Sequence, residues 1–198
     1  MNKNAELVFF SKWLRSPMRV ASVMPSSSQL ARAMASALPD REGLVVELGG
    51  GTGPVTHALL DAGVRAEQLV VIERDPHFHR HLMRRFPGVA VLLGDAFEMH
   101  ALVSRLAHDM PIRAVVSGLP LVPMSAAEQR RIISQTLQLT GGAGPLIQFS
   151  YSLTSPLQKS VKHELGLSSH CVTHVWRNIP PAKVWRYERQ ELPQVLLG

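Results

Sequence analysis

The sequence predicts a doubly wound α/β fold with a mostly parallel sheet, and three observations lead there. From Leu44 onward, short β-rich runs alternate with helical stretches. The first run leads into a glycine turn, Glu47-Leu48-Gly49-Gly50-Gly51-Thr52-Gly53-Pro54, and then into a helix. The runs LVVEL and LVVIE are almost continuously apolar, as strands buried on both faces are. Strand–helix alternation of this kind packs helices on both sides of a parallel sheet.

Taken in order, the first 40 residues predict two helices ahead of the sheet. A loop containing SVMPSSS joins them, and its serines suit the cap of a second helix running through Ala37. LVVEL at 44–48 is the first strand, followed by the glycine turn and a helix through HALLDAG. Next come LVVIE at 69–73, a helix from Pro76 to Phe86, VAVLL at 89–93 and a helix around 98–108. IRAVVS at 112–117 is the fourth strand, and AAEQRRIISQTLQL is an amphipathic helix closed by Gly141-Gly142. GPLIQFSY at 144–151 makes the fifth strand and 156–165 a further helix. Two strands near 170–176 and 182–189, joined by NIPPAK, form an antiparallel edge.

With 198 residues the chain suits one domain: helices over 1–40 and an α/β core over 41–198. A 45% hydrophobic share with 18% charged residues excludes a disordered chain. The net charge of +6 fits an anionic partner, nucleic acid or an acidic membrane surface, and equally a merely basic enzyme. One cysteine, Cys171, excludes an internal disulfide and suits a reducing, cytoplasmic compartment. Neither CxxC nor HExxH occurs, so no metal site is expected. The start lacks the pattern of a secretory signal. No run of apolar residues is long enough to span a bilayer, so any membrane contact comes from the side.

In open α/β sheets ligands bind beyond the carboxyl ends of the strands. Glycines there let the backbone turn tightly and approach a ligand, and Pro54 suits the first helical position. The GxGxG spacing differs from the GxGxxG of dinucleotide folds. With Glu47 at the strand end, it suits a ligand carrying both a carboxylate and an amine, such as a methionine moiety. Glu73 ends the second strand, where an acid accepts both hydroxyls of a ribose. Asp95, in Gly94-Asp95-Ala96 after the third strand, is placed to accept from an adenine amine. The fourth strand ends Ser117-Gly118-Leu119-Pro120-Leu121, where backbone carbonyls and a hydroxyl can hold an incoming nitrogen.

These residues make the sequence resemble the soluble bacterial phospholipid N-methyltransferases, which methylate phosphatidylethanolamine stepwise toward phosphatidylcholine. The resemblance runs through FFSKWLRSP, ASVMPSSSQLARAMA, VVELGGGTGPVTHALL, VVIERDPHF, LLGDAF, VVSGLPL and WRNIPPAKVWRYER. SVMPSSS and VVSGLPL are its discriminating pieces. It implies a Rossmann-like class I methyltransferase: a doubly wound, seven-stranded, mostly parallel sheet with an N-terminal helical extension. S-adenosylmethionine is the implied donor and S-adenosylhomocysteine the product. Carried over, Glu47, Gly49, Gly51, Gly53, Glu73, Arg74, Asp95, Ala96 and Ser117 surround the donor. Ser117, Gly118, Leu119 and Tyr151 position the amine, and Ser26, Ser27, Tyr151 and Arg177 face the lipid substrate. The family usually shows proline, alanine or cysteine where this chain has Gly50, a departure not expected to impair binding.

The chemistry so implied asks for orientation of a neutral amine and for oxygens facing the developing ammonium. Tyr151 reads equally as an amine contact through its π face or as a structural tyrosine. Arg177 and Lys183 read as lipid-phosphate partners or as solvated charges. On the first helix Leu7, Phe9, Phe10, Trp13 and Leu14 share one arc, with Ser11, Lys12 and Arg15 opposite and Glu6 intruding. That face suits an anionic membrane, with Phe9, Phe10, Lys12, Trp13 and Arg15 as its contacts, or packing on the domain itself. The expectation is therefore a monomeric or weakly associating enzyme, peripheral to the inner face of the cell membrane, with no nucleic-acid partner. Two rival readings share the fold: an rRNA adenine dimethyltransferase and a non-catalytic protein. The first normally has a C-terminal helical module and an aromatic after the fourth strand, and neither is evident here; the intact acids at the strand ends speak against the second.

Overall fold

The computed structural model describes residues 25–106, 109–152, 154–178 and 180–190. Helix α1 (Pro25–Ala35) precedes β1 (Leu44–Leu48), α2 (Pro54–Asp61), β2 (Leu69–Glu73) and α3 (Pro76–Arg85). Then follow β3 (Ala90–Leu93), α4 (Met99–Val103), β4 (Ile112–Ser117), α5 (Ala126–Leu139) and β5 (Leu146–Ser150). The described chain continues with α6 (Lys159–Glu164), β6 (Leu167–Val175) and β7 (Ala182–Arg189). The strands form one seven-stranded sheet in the order β3-β2-β1-β4-β5-β7-β6. β1 to β5 run parallel, while β7 lies antiparallel between β5 and β6. This is the seven-stranded α/β sheet the sequence predicts.

The apolar runs fill both faces because successive side chains alternate across the sheet. Val45, Val71, Ala114, Val116 and Ile147 pack with Leu30 and Met34 of α1, Leu59 of α2 and Leu82 of α3. Val46, Leu48, Val70, Ile72 and Val115 pack on the other face with Met99 of α4 and Ile132 and Ile133 of α5. Each aliphatic side chain so buried contributes about 1.5–3 kcal/mol. Helix starts follow local chemistry. Asp75 caps α3 ahead of Pro76, and Ser125 with Glu128 forms a capping box on α5. Gly141 and Gly142, at φ 59° and 77°, turn the chain after α5.

Several boundaries differ from the sequence reading, among them the helix expected over 156–165, which spans Lys159–Glu164, and the strand expected over 144–151, which spans Leu146–Ser150. Helix α1 begins at Pro25, so Ser26–Ser28 lie within its first turn rather than in a preceding loop. Proline's fixed φ suits that first helical position. The helix expected around 98–108 is a 3-10 turn at Ala96–Glu98 followed by the short α4. β6 begins at Leu167, ahead of the expected 170, because Leu167 pairs with Arg189 and Ser168 with Glu188. The expected first helix, with Phe9, Phe10, Lys12, Trp13 and Arg15, lies outside the described residues, as do the side chains of Ser26 and Ser27.

Candidate active site

The carboxyl ends of β1 to β4 surround an open cleft of about 300 Å³. After β1 the chain makes two left-handed steps, Gly49 at φ 75° and Gly51 at φ 55°, which only glycine adopts without strain. Both line the cleft, and at Gly51 nothing stands within 4 Å of where a Cβ would be. A side chain there would project into free space along the wall. Gly53, at φ 86°, has another duty: a Cβ would meet the Phe86 ring at 2.4 Å, so this glycine seats α2 against α3. Arg85 braces the turn from outside by donating to the Thr52 carbonyl at 2.9 Å.

Gly50 is fixed by packing. A Cβ at this position would lie 2.6 Å from Val71 Cγ1 and 2.9 Å from Leu82 Cδ1. Val71 is held in a central strand and cannot yield easily. Gly50→Ala is therefore expected to lose about 1–3 kcal/mol of stability through overpacking. Urea denaturation checks this; an unchanged midpoint would show that Leu82 moves aside freely.

Glu73 stands at the end of β2 and lines the cleft. Its Oε2 accepts the Gly51 N–H at 2.9 Å and its Oε1 accepts the Asp75 N–H at 2.8 Å. Each carboxylate oxygen has a second lone pair, so both can still accept from a ligand. Arg74 and Asp75 share the wall, and Asp75 Oδ1 accepts the His77 N–H at 2.7 Å. After β3, Asp95 and Ala96 line the cleft beside Phe97, and Asp95 Oδ1 accepts the Phe97 N–H at 2.9 Å. Gly118, Leu119 and Pro120 close the β4 side. A Cβ on Gly118 would meet the Gly49 carbonyl oxygen at 3.0 Å, so this turn rests directly on the glycine turn.

Other expected site residues lie off this wall. Glu47 is 1% exposed and sits beneath the turn, where its Oε2 accepts the Thr56 hydroxyl at 2.7 Å. Burial pushes its carboxyl from 4.5 up to about 7; the Thr56 hydrogen bond opposes this and the Glu73 charge adds to it. Ser117 is fully buried, and its Oγ accepts the Leu119 N–H at 3.2 Å, so it shapes the turn after β4. The Leu119 carbonyl accepts Gln148 Nε2 at 2.9 Å, which fixes its direction and leaves one lone pair. Tyr151 is half-buried beyond β5, with its ring edge-on to Phe149 at 5.5 Å. Burial raises its phenol pKa, opposed by a hydrogen bond with the Asn178 side chain. Arg177 is exposed and Lys183 half-buried, one at the turn after β6 and the other at the start of β7.

The sequence reading did not single out Phe78, Phe97 or Met124, which supply the apolar wall. Phe78 lies in the first turn of the helix that Asp75 caps, a signal present in Asp75-Pro76-His77-Phe78. Among the described residues, no group of three His, Cys, Asp or Glu side chains is placed to hold a metal ion.

No family model matches the chain. The 1,6-didemethyltoxoflavin N1-methyltransferase of Burkholderia thailandensis, solved with 1,6-didemethyltoxoflavin and S-adenosylhomocysteine, has a similar fold. Its TM-score is 0.64 at 13% identity, with 94% of this chain and 90% of that one covered. Magnesium protoporphyrin IX methyltransferase of Synechocystis, solved with S-adenosylmethionine, gives 0.60 at 14% identity over 83% and 80% of the two chains. Both likenesses show that the seven-stranded sheet has the Rossmann-like fold of class I methyltransferases. An ornithine lipid N-methyltransferase of Singulisphaera acidiphila is 33% identical over 141 residues, 68% of this chain and 73% of that protein. This chain belongs to the same family of lipid N-methyltransferases.

Proposed function

We propose that the protein methylates the amine of phosphatidylethanolamine, and of its methylated intermediates, toward phosphatidylcholine at a membrane surface. The observation that carries the lipid reading is the relationship to a lipid N-methyltransferase; the rim cleft supplies a place for the donor. The cleft fits S-adenosylmethionine: Gly51 leaves its wall clear, and Glu73 keeps a free lone pair on each oxygen. When bound, the donor supplies an activated methyl group on a sulfonium. Glu73 would hold the ribose hydroxyls, Asp95 and Ala96 the adenine edge, and the Gly49–Gly51 backbone the amino-acid end. Glu47 and Ser117 support that wall from beneath, Glu47 through Thr56 and Ser117 through the Leu119 N–H. The Gly118 and Leu119 carbonyls then orient the amine, with Gln148 holding the Leu119 peptide in register.

A second reading is favoured by the Singulisphaera relative, whose acceptor is an ornithine lipid. Both acceptors carry an amine within a polar headgroup. Radiolabelled methyl transfer separates them, using vesicles of phosphatidylethanolamine or of ornithine lipid with products resolved by chromatography. Label in neither lipid would end the proposal.

Helices over 1–40 delivering the headgroup to a core over 41–198 belong to the same reading, as does peripheral association of a monomer with the inner face of the membrane. Among the described residues no helix is long and apolar enough to cross a bilayer. Removing residues 1–16 is expected to lower activity on anionic vesicles about 30-fold, since Lys3, Lys12 and Arg15 with Glu6 opposing leave two net charges, each adding about 1 kcal/mol near the surface. Donor affinity measured by calorimetry should stay within about twofold, because the donor wall described above uses none of those residues. Equal activity of the two forms on vesicles would rule out an interfacial first helix.

A further inference from the structure

Strand β7 brings the end of the β6–β7 hairpin to the same rim as the cleft. Lys183 pairs with Ser150, the last residue of β5, and Ala182 pairs with Val175, the last residue of β6. The turn opened by Trp176 therefore lies beyond the carboxyl ends of the parallel strands. Three strand spacings separate β6 from β4, roughly 14 Å.

Trp176 is 73% exposed, an unusual position for so large an apolar side chain. Its ring leans on His174 at 5.3 Å between centroids, and Arg177 beside it is exposed. Val172, the residue bulged out of β6, is exposed on the same edge strand. From Leu165 to Tyr187 the sequence has no Asp or Glu, and it has Arg177 and Lys183 with His170 and His174; the charge of Arg186 is taken up by an ion pair with Glu188.

The turn is anchored from within. Asn178 is 3% exposed; its N–H donates to the Val175 carbonyl at 3.2 Å and its Nδ2 to the Pro180 carbonyl at 2.6 Å. Its side chain also bonds with that of Tyr151 at the end of β5. Asn178 thus fixes the backbone while Trp176 and Arg177 face outward. An exposed indole on an anchored turn, beside a cation and in a stretch free of acids, matches the interface of an anionic bilayer. There the ring sits at headgroup depth and the cation meets lipid phosphate.

We propose that this turn is a bilayer anchor: Trp176 enters the headgroup layer of an anionic membrane and presses the donor-cleft rim against the lipid amines. The inference rests on the lipid reading above. Its test uses the full chain, wild type and Trp176→Ala, with vesicles of phosphatidylethanolamine and phosphatidylglycerol. Sedimentation with vesicles, and methyl transfer to their lipid, should each fall about tenfold in the variant, as expected when one interfacial anchor is lost. Donor affinity, and transfer to a short-chain phosphatidylethanolamine kept monomeric, should be unchanged. If the wild type neither pellets nor methylates lipid, the lipid reading itself fails. If the wild type does both and Trp176→Ala matches it, only the anchor is overturned. Equal losses on monomeric and vesicle lipid would make Trp176 a substrate or structural residue and would also overturn it. So would wild-type dimers, seen by analytical ultracentrifugation, that the variant cannot form.

Discussion

Glu73→Ala should weaken S-adenosylmethionine binding by about 100-fold in titration calorimetry, because hydrogen bonds to an ionised group contribute about 1.5–3 kcal/mol each. The carboxylate is the acidic group at the end of β2, and each of its oxygens keeps one lone pair after accepting from Gly51 and Asp75. In the proposed complex those lone pairs receive the two ribose hydroxyls. Alanine removes both acceptors and also leaves the Gly51 and Asp75 N–H groups without a partner, so the glycine turn loosens. Glu73→Gln separates the two effects. It keeps one acceptor oxygen and the side-chain shape but turns an NH2 toward a hydroxyl or an amide, and an intermediate loss of about tenfold is expected. Wild-type affinity in Glu73→Ala would mean that the ribose does not lie on this side chain.

The fold was legible because the central strands are apolar at nearly every position and the turns between them carry strong signals. LVVEL and LVVIE are β1 and β2 to the residue, and Ser125 with Glu128 marks the start of α5. Legibility fades at the edge. Ser168-Ser169-His170 offers no buried alternation, so the early start of β6 is set by its pairing with β7 rather than by local pattern. Likewise Ser26–Ser28 look like cap residues in isolation, and Pro25 ahead of them decides the helix start.

At the candidate site, the sequence gives the strand-end acids a position but not a direction. Glu47 lies two residues from Val45 and faces the same side of the sheet, the side covered by α2. Its carboxyl therefore meets Thr56 of α2 instead of the open cleft. Ser117, opposite Leu48 in the register, is covered in the same way on the other face. Strand parity carried this information, and it becomes usable once it is known which helix covers which face. Phe78, Phe97 and Met124 reach the cleft from a helix start, a 3-10 turn and a loop, where no long period operates.

Glu47 leads to the second large expectation: stability should fall as pH rises from 4.5 to about 7. The sign follows from proton linkage. In this window the unfolded chain has released the Glu47 proton while the folded state still holds it, so folding takes up a proton and raising pH opposes it. A shift from 4.5 to about 7 corresponds to about 3 kcal/mol of folding free energy, fully expressed above pH 7 and absent below pH 4.5. Glu47→Gln keeps an oxygen for the Thr56 hydroxyl and cannot ionise. Urea unfolding of the two proteins should therefore agree near pH 4.5 and diverge to about 3 kcal/mol in favour of the variant near pH 8. Parallel pH profiles would show that the buried carboxyl stays charged, with a cation or solvent reaching it from the cleft. Donor titration of the same variant asks what the cost is for. If Glu47→Gln is more stable yet binds the donor markedly less well, the charge under the glycine turn is retained to hold a cationic ligand. Equal donor affinity would leave Glu47 as a packing partner of Thr56, and the grip on the donor would fall to Glu73 and Asp95.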